Sequence, residues 1–398
     1  MLPVTNFSEN SDTMSVLFCV PAQGQERFLD VKVAGLPLWK RLYQHALRSG
    51  MIPRFIVRPG TPISYRLPRE TLVVQEADMP CGFDKAVFCK PGILPDISCL
   101  EAMGEENIPQ GALCVKDGLL GFVPSPDCFE FGKAFGTDGF KALKDFLFSY
   151  LTPREVFCKG AIFSLRSKKE IKRAEKQLFK GLVKDTEGFM SRHVERPISL
   201  FISKRIVNTS ITPNQITIIS TLIGLIGALF ISIGQGFWQI AGALLFLAHS
   251  IIDGCDGEIA RIKFMESRLG GILDFWGDNL VHAAVFGAIG IEWARRTDTV
   301  FPLYLSAAAV IGTMLSASIV YFSTMRKKKG SRGPLYTSVS STQRKGKIAE
   351  VADFLSRRDF IYLVVILAFF NHLDWFLVVA AVGSLVFAGM LIWIRLKG

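Results

Sequence analysis

The chain has 398 residues, too many for one ordinary soluble domain and suited to about two. Hydrophobic residues make up 49% and the formal net charge is +11, but no DNA- or RNA-binding motif accompanies the basic excess, which argues against a nucleic-acid partner. Eight cysteines are scattered without a CxxC or a metal-type His/Cys spacing, so no disulfide framework or zinc site is expected and the thiols are read as reduced.

The apolar residues are unevenly spread. Residues 1–190 are mixed and charged, whereas 214–395 are dominated by long apolar runs, which predicts a soluble domain followed by a membrane domain. The first residues lack a basic segment followed by an apolar one, so no cleavable secretory signal is expected and the first domain is placed in the cytoplasm. It opens with a strand over Val16–Val20 and a helix over Leu38–Arg48, stopped by Ser49 and Gly50. Further strands are expected at Arg54–Val57, Thr71–Val74, Lys85–Phe88 and Leu113–Val115, and a charged helix over Lys168–Leu182. Strands alternating with helices predict an α/β layer fold.

Between the domains, residues 191–212 contain Ile198, Leu200, Phe201, Ile202 and Ile206, interrupted by Ser199, Ser203, Lys204 and Arg205. That pattern predicts an amphipathic helix lying on the cytoplasmic membrane surface. Thr212 and Pro213 then offer an N-cap and a first-turn proline to the first membrane helix.

Six segments have the length and apolarity to cross a bilayer, near 214–234, 237–260, 270–293, 301–324, 359–371 and 373–394. The last two could pass for one helix, but 36 residues at 1.5 Å each are too long for one ~30 Å crossing, so a hairpin around Asn371 is expected. The loops 261–269 and 325–358 hold three and ten Lys/Arg, whereas the opposite loops hold only Arg295 and Arg296. The positive-inside rule then puts both termini and the basic loops in the cytoplasm of an integral inner- or cell-membrane protein.

The chemistry is expected between 253 and 279. Asp253 and Asp256 are three apart near the cytoplasmic end of the second apolar segment, and Asp274 and Asp278 are four apart at the start of the third. Each spacing sets its pair on one helix face, and the short intervening loop makes the helices antiparallel neighbours. Four ionised carboxylates at a low-dielectric site repel one another unless cations neutralise them, and oxygen ligands suit Mg²⁺ or Mn²⁺. Gly257, Ala260 and Gly270 leave room for close approach, and Arg261 can meet a phosphate or a carboxylate. A prenyltransferase would separate its two acidic motifs further. A transporter would place its acids at the midplane with internal repeats, and an EF-hand loop would alternate its acids.

Asp253-xx-Asp256-Gly257-xx-Ala260-Arg261, eight residues, Gly270-xxx-Asp274-xxx-Asp278 resembles the full signature of the CDP-alcohol phosphotransferase family. The stretch Ile211–Thr217 is similar to that family's approach to its first membrane helix, so the resemblance covers 192–395. It implies a six-helix, usually homodimeric domain over 213–398, moving a phosphoalcohol from a CDP-alcohol donor to an acceptor hydroxyl with release of CMP. It implies Asp253, Asp256 and Asp274 as metal ligands, and Asp278 as general base that also touches a metal. Asn214, Thr217, Gly257, Ala260, Arg261 and Gly270 become the CDP-alcohol site. Arg326, Lys327, Lys329, Arg357 and Arg358 are candidates for an acceptor's phosphate.

Residues 1–190 resemble, more distantly, sugar-phosphate nucleotidyltransferases, through 33–51, and the join at 184–199 resembles fusions that make and use CDP-inositol. This implies an inositol phosphate acceptor, with a CDP-diacylglycerol lipid synthase as the alternative. The expected Gly-x-Gly-x-Arg loop instead reads Ala22-Gln23-Gly24-Gln25-Glu26-Arg27, and the acidic metal ligand expected after a middle strand is hard to find in 86–96. A degenerate, non-catalytic α/β domain is therefore expected.

Overall fold

The computed structural model describes residues 15–19, 26–56, 66–68, 71–73, 84–105, 112–116, 119–122, 140–155, 160–182, 191–325 and 360–397. The chain divides into two compact units, Met1–Leu178 and Phe179–Gly398.

The first unit contains β1 (Ser15–Cys19), β2 (Lys32–Val33), β3 (Leu36–Pro37), α1 (Leu38–Arg48), β4 (Ile52–Ile56), β5 (Leu72–Val73) and β6 (Lys85–Cys89). These are followed by β7 (Ile93–Pro95), α2 (Ile97–Glu105), β8 (Ala112–Lys116), β9 (Leu119–Phe122), α3 (Phe140–Tyr150), β10 (Thr152–Glu155), β11 (Ile162–Ser164) and α4 (Lys168–Lys180). Seven strands form one mixed sheet in the order β10-β8-β9-β6-β1-β4-β5, in which β9 runs antiparallel to both neighbours. The central strands β1 and β6 are parallel and buried along nearly their whole length, as strands covered on both faces must be. Leu38, Leu42 and Ala46 of α1 join Leu17, Cys19, Val87 and Cys89 in the core. Gly50, at φ +76, makes the left-handed turn that ends α1 and returns the chain into β4.

The second unit is helical: α5 (Arg196–Ile206), preceded by a π-turn at Ser191–Glu195, then α6 (Pro213–Ile233), α7 (Phe237–Lys263), α8 (Arg268–Thr297), α9 (Phe301–Val320), α10 (Phe360–Phe369) and α11 (Leu373–Lys397). Among the described residues, four helices are long and apolar enough to cross a membrane: α6, α7, α9 and α11. α8 has the length, with 30 residues, but Asp274, Asp278, Glu292, Arg295 and Arg296 make it more polar, and α10 is helical over only ten described residues. The chain reverses between α10 and α11 as a hairpin. Asn371 takes a left-handed φ of 59°, and the amides of Asn371 and His372 bond the carbonyls of Ala368 and Leu367 at 3.1 and 2.8 Å.

Thr212 caps α6 in a reciprocal box with Gln215, with Pro213 in the first turn, so the expected start is the observed one. Helix α5 covers the expected amphipathic segment. Ser199 and Ser203 are the buried residues of α5, whereas Ile198 and Phe201 are 42% and 56% exposed. The serine face turns toward α7 because Ser199 has a buried carboxylate to bond there, which leaves the apolar face outward, as lipid requires.

Candidate functional site

Helices α6, α7 and α8 meet through glycines. A Cβ on Gly242 would lie 2.6 Å from the Gly227 carbonyl oxygen, so the α6 and α7 backbones touch. Along α8, a Cβ on Gly270 would lie 2.9 Å from Asn214 Oδ1, and one on Gly277 would lie 2.7 Å from Thr221 Oγ1. Asp274 sits between those two glycines on α8, as Thr217 sits between Asn214 and Thr221 on α6. The same close approach that excludes side chains at 270 and 277 thus carries Asp274 toward the carboxylates of α7.

Those carboxylates are Asp253 and Asp256, only 2% and 7% exposed. One oxygen from each of Asp253, Asp256 and Asp274 lies within 4.8 Å of the other two. Thr217 Oγ1 donates to Asp256 Oδ2 and fixes its rotamer. Three carboxylates from two helices, two of them shut away from water, form an oxygen donor set that a hard divalent cation fits and that mutual repulsion disfavours without one. Asp278 stands one turn beyond Asp274, and its Oδ1 is 3.4 Å from Nε2 of His249. The other ring nitrogen of His249, a buried residue, is 2.9 Å from the Ser220 carbonyl oxygen.

The turn between α7 and α8 fixes this juxtaposition. Phe264, at a left-handed φ of 54°, ends α7, and Met265 N–H bonds Ala260 O at 2.9 Å. Ser267 then caps α8 by accepting from Gly270 N–H at 3.0 Å. At Gly257 a Cβ would lie 3.3 Å from Arg261 Nη1, so the glycine lets the guanidinium lie against its own helix. Ala260 is half-buried beside it.

A cavity of about 270 Å³ opens beside the aspartate trio, lined also by Gly257 and Arg261. From the segment before α6 it receives Glu195 and Arg196, which sequence reasoning did not single out. Arg196 Nη1 is 3.0 Å from Glu258 Oε1, and Glu258 is fully buried and also accepts from Ser199 Oγ at 2.6 Å. These partners are 62 and 59 positions apart, so no local spacing announces them. Asn214, Thr217 and Gly270 lie at the first turns of α6 and α8, near the trio. Arg326, Lys327, Lys329, Arg357 and Arg358 fall outside the described residues.

Residues 210–386 match the family model described as CDP-alcohol phosphatidyltransferase. The C-terminal half carries a CDP-alcohol phosphatidyltransferase domain. Among curated proteins, the chain is 35% identical over 158 residues to a bifunctional IPC transferase and DIPP synthase of Thermococcus kodakarensis, covering 39% of this chain and 34% of that one. It is 36% identical over 170 residues to the protein of the same description from Archaeoglobus fulgidus, covering 42% of this chain and 31% of the relative. It is 26% identical over 182 residues to the archaetidylinositol phosphate synthase of Pyrococcus horikoshii, covering 46% of this chain and 89% of the relative. The chain thus spans about a third of the length of the two bifunctional relatives. The matched segment contains the aspartate trio, and the four apolar helices agree with an integral membrane protein.

Proposed function

We propose that the chain transfers a phosphoalcohol from a CDP-alcohol to an acceptor hydroxyl, releasing CMP. The observation that carries this is the convergence of Asp253, Asp256 and Asp274 inside the matched segment. Asp253, Asp256 and Asp274 hold Mg²⁺ or Mn²⁺. A divalent cation held there would offset the charge of the diphosphate and, by polarising its oxygens, make the phosphorus more electrophilic.

The residues of the chain supply the rest. Gly257, Ala260 and Gly270 give the cytidine diphosphate room against the helix backbones, with Asn214 and Thr217 at its side and Arg261 offering a planar, permanently charged partner for its phosphates. The acceptor oxygen attacks the phosphorus bonded to the alcohol. Its proton passes to the Asp278 carboxylate, and the bond from that phosphorus to the CMP oxygen breaks, so that CMP leaves with the electron pair. Similarity to proteins named for inositol phosphate chemistry supports an inositol phosphate as acceptor. Six crossings, with α8 and a longer α10 completing the set, a homodimer, and a cytoplasmic site with both termini on that side, belong to the same reading. Its sidedness is supported by the Lys/Arg excess of the 261–269 and 325–358 loops.

Membranes containing the full chain, given a panel of CDP-alcohols and acceptors with Mg²⁺ or Mn²⁺, are expected to release CMP only when a matching pair is present. Asp256→Asn removes an anionic ligand and is expected to abolish release, together with the stabilisation that Mn²⁺ gives the purified protein against heat. Release at the wild-type rate in that variant, at saturating metal, would refute the assignment.

A further inference from the structure

Glu195 is a carboxylate inside a membrane-level cavity that the transfer chemistry above does not use. It is 6% exposed, yet it lines the cavity. Tyr362 Oη and Ser250 Oγ approach its Oε1 at 3.3 and 3.5 Å, and among the described residues no hydrogen bond reaches Oε2. Withdrawing a carboxylate from water is costly unless donors replace the lost water, so a ligand carrying hydroxyls completes this group. Arg196 follows it in the chain, and buried Glu258 fixes the guanidinium at the cavity wall. Planar and permanently charged, that group suits a phosphate.

The remaining lining narrows the ligand. Ser191, Ser199 and Ser250 add three hydroxyls, and among the described residues no aromatic side chain lines the cavity to cage a quaternary ammonium. Glu195 meets α7 at Ser250, before Asp253, and Arg196 meets it at Glu258, after Asp256. The pair therefore brackets the two α7 aspartates, and a ligand held between them lies beside the metal-binding carboxylates.

We propose that Glu195 and Arg196 form a polyol-phosphate subsite that holds the acceptor, with Arg196 on its phosphate and Glu195 on its hydroxyls. This rests on the phosphotransferase reading for what the subsite is used for, but its binding can be read separately.

The probes are inositol 1-phosphate, inorganic phosphate and ethanolamine phosphate, titrated calorimetrically into the purified full chain in detergent with Mg²⁺. The wild type is expected to prefer inositol 1-phosphate. Glu195→Gln is expected to weaken inositol 1-phosphate about tenfold and leave inorganic phosphate unchanged, because only a charge-assisted bond to hydroxyls is lost. Arg196→Gln is expected to weaken both. CDP-diacylglycerol binding at wild-type affinity in each variant reports an intact fold.

The proposal is overturned if Glu195→Gln weakens neither probe or weakens both equally, or if ethanolamine phosphate is the preferred ligand. It is also overturned if CDP-diacylglycerol binding falls in step, which would give both residues a purely structural role. A wild type that binds inositol 1-phosphate through Glu195 but releases no CMP from any CDP-alcohol sinks the phosphotransferase reading and leaves the subsite standing.

Discussion

Nε2 of His249 faces Oδ1 of Asp278 at 3.4 Å, while Nδ1 of the same ring is 2.9 Å from the Ser220 carbonyl oxygen. A carbonyl only accepts, so Nδ1 carries a proton and the imidazole is locked in place by α6. Asp278, one turn beyond Asp274, thus has a ring fixed on another helix as its neighbour. His249 is itself packed in the helical core, with Asp278 as its neighbour.

From this follows a division of roles that can be measured. Asp278→Asn keeps the side-chain shape but loses basicity. Turnover is expected to fall ~10²–10⁴-fold, the usual worth of general-base assistance, while CDP-alcohol binding persists. Single-turnover transfer, measured beside donor affinity, reads both. Collapse of donor affinity with transfer spared would make Asp278 chiefly a metal ligand.

The N-terminal domain is expected to be inert toward nucleotides. β6 runs into Lys90 and Pro91 where the resembled nucleotidyltransferases need an acidic metal ligand, and the altered loop at 22–25 lies outside the described residues. The full chain incubated with CTP, inositol 1-phosphate and Mg²⁺ should form no CDP-inositol. Measurable pyrophosphate release under those conditions would show the domain to be active.

What was legible and what was not follow from the range of the forces involved. Helix α1 occupies the expected residues, because its amphipathic period and its Ser49-Gly50 stop are local signals. The strands of the sheet centre were legible as apolar, β-branched and aromatic runs. Helix α2 was passed over although Asp96 Oδ1 accepts from Ile97 N–H at 2.7 Å, an aspartate cap visible in the sequence. The two-residue strands β2 and β3 leave no pattern to find. The aspartates were legible because i,i+3 and i,i+4 spacing is a local geometry. Glu195 and Arg196 were not, since their place depends on Glu258, Ser250 and Tyr362, all far along the chain.

Glycine substitutions should separate contact from mere helix propensity. Gly242→Ala drives a methyl to 2.6 Å from the Gly227 carbonyl, where backbone cannot yield cheaply, and is expected to cost about 1–3 kcal/mol. Gly287→Ala in α8 meets nothing within 4 Å and gains up to ~1 kcal/mol of helix propensity. Thermal unfolding of the detergent-purified protein should move down for the first variant and hold or rise for the second. Equal shifts would mean that α6 and α7 are not packed backbone to backbone.

The N-terminal domain should weaken in mild acid through His45. Burial in the α1 core drives the pKa of this histidine down to about 4, against the pull of its 2.8 Å bond to the Pro95 carbonyl and with help from the charges of Arg41 and Arg48. In the unfolded chain the ring titrates near ~6.5. The folded value is the lower, so below pH ~6.5 the unfolded state takes up the proton first, and stability falls as pH drops from ~6.5 toward 4. Above that window His45 is neutral in both states and contributes no pH dependence. Across the full window the loss is on the order of 3 kcal/mol, since each pH unit between the two values is worth about 1.4 kcal/mol. Hydrogen exchange of the α1 and β1 amides in the full chain, corrected for the intrinsic pH dependence of exchange, reads the local unfolding free energy. Wild-type protection should decline through this window, and His45→Gln, which cannot titrate, should flatten the decline whatever its stability at neutral pH. Parallel declines in the two proteins would mean that His45 does not set the acid sensitivity of this domain.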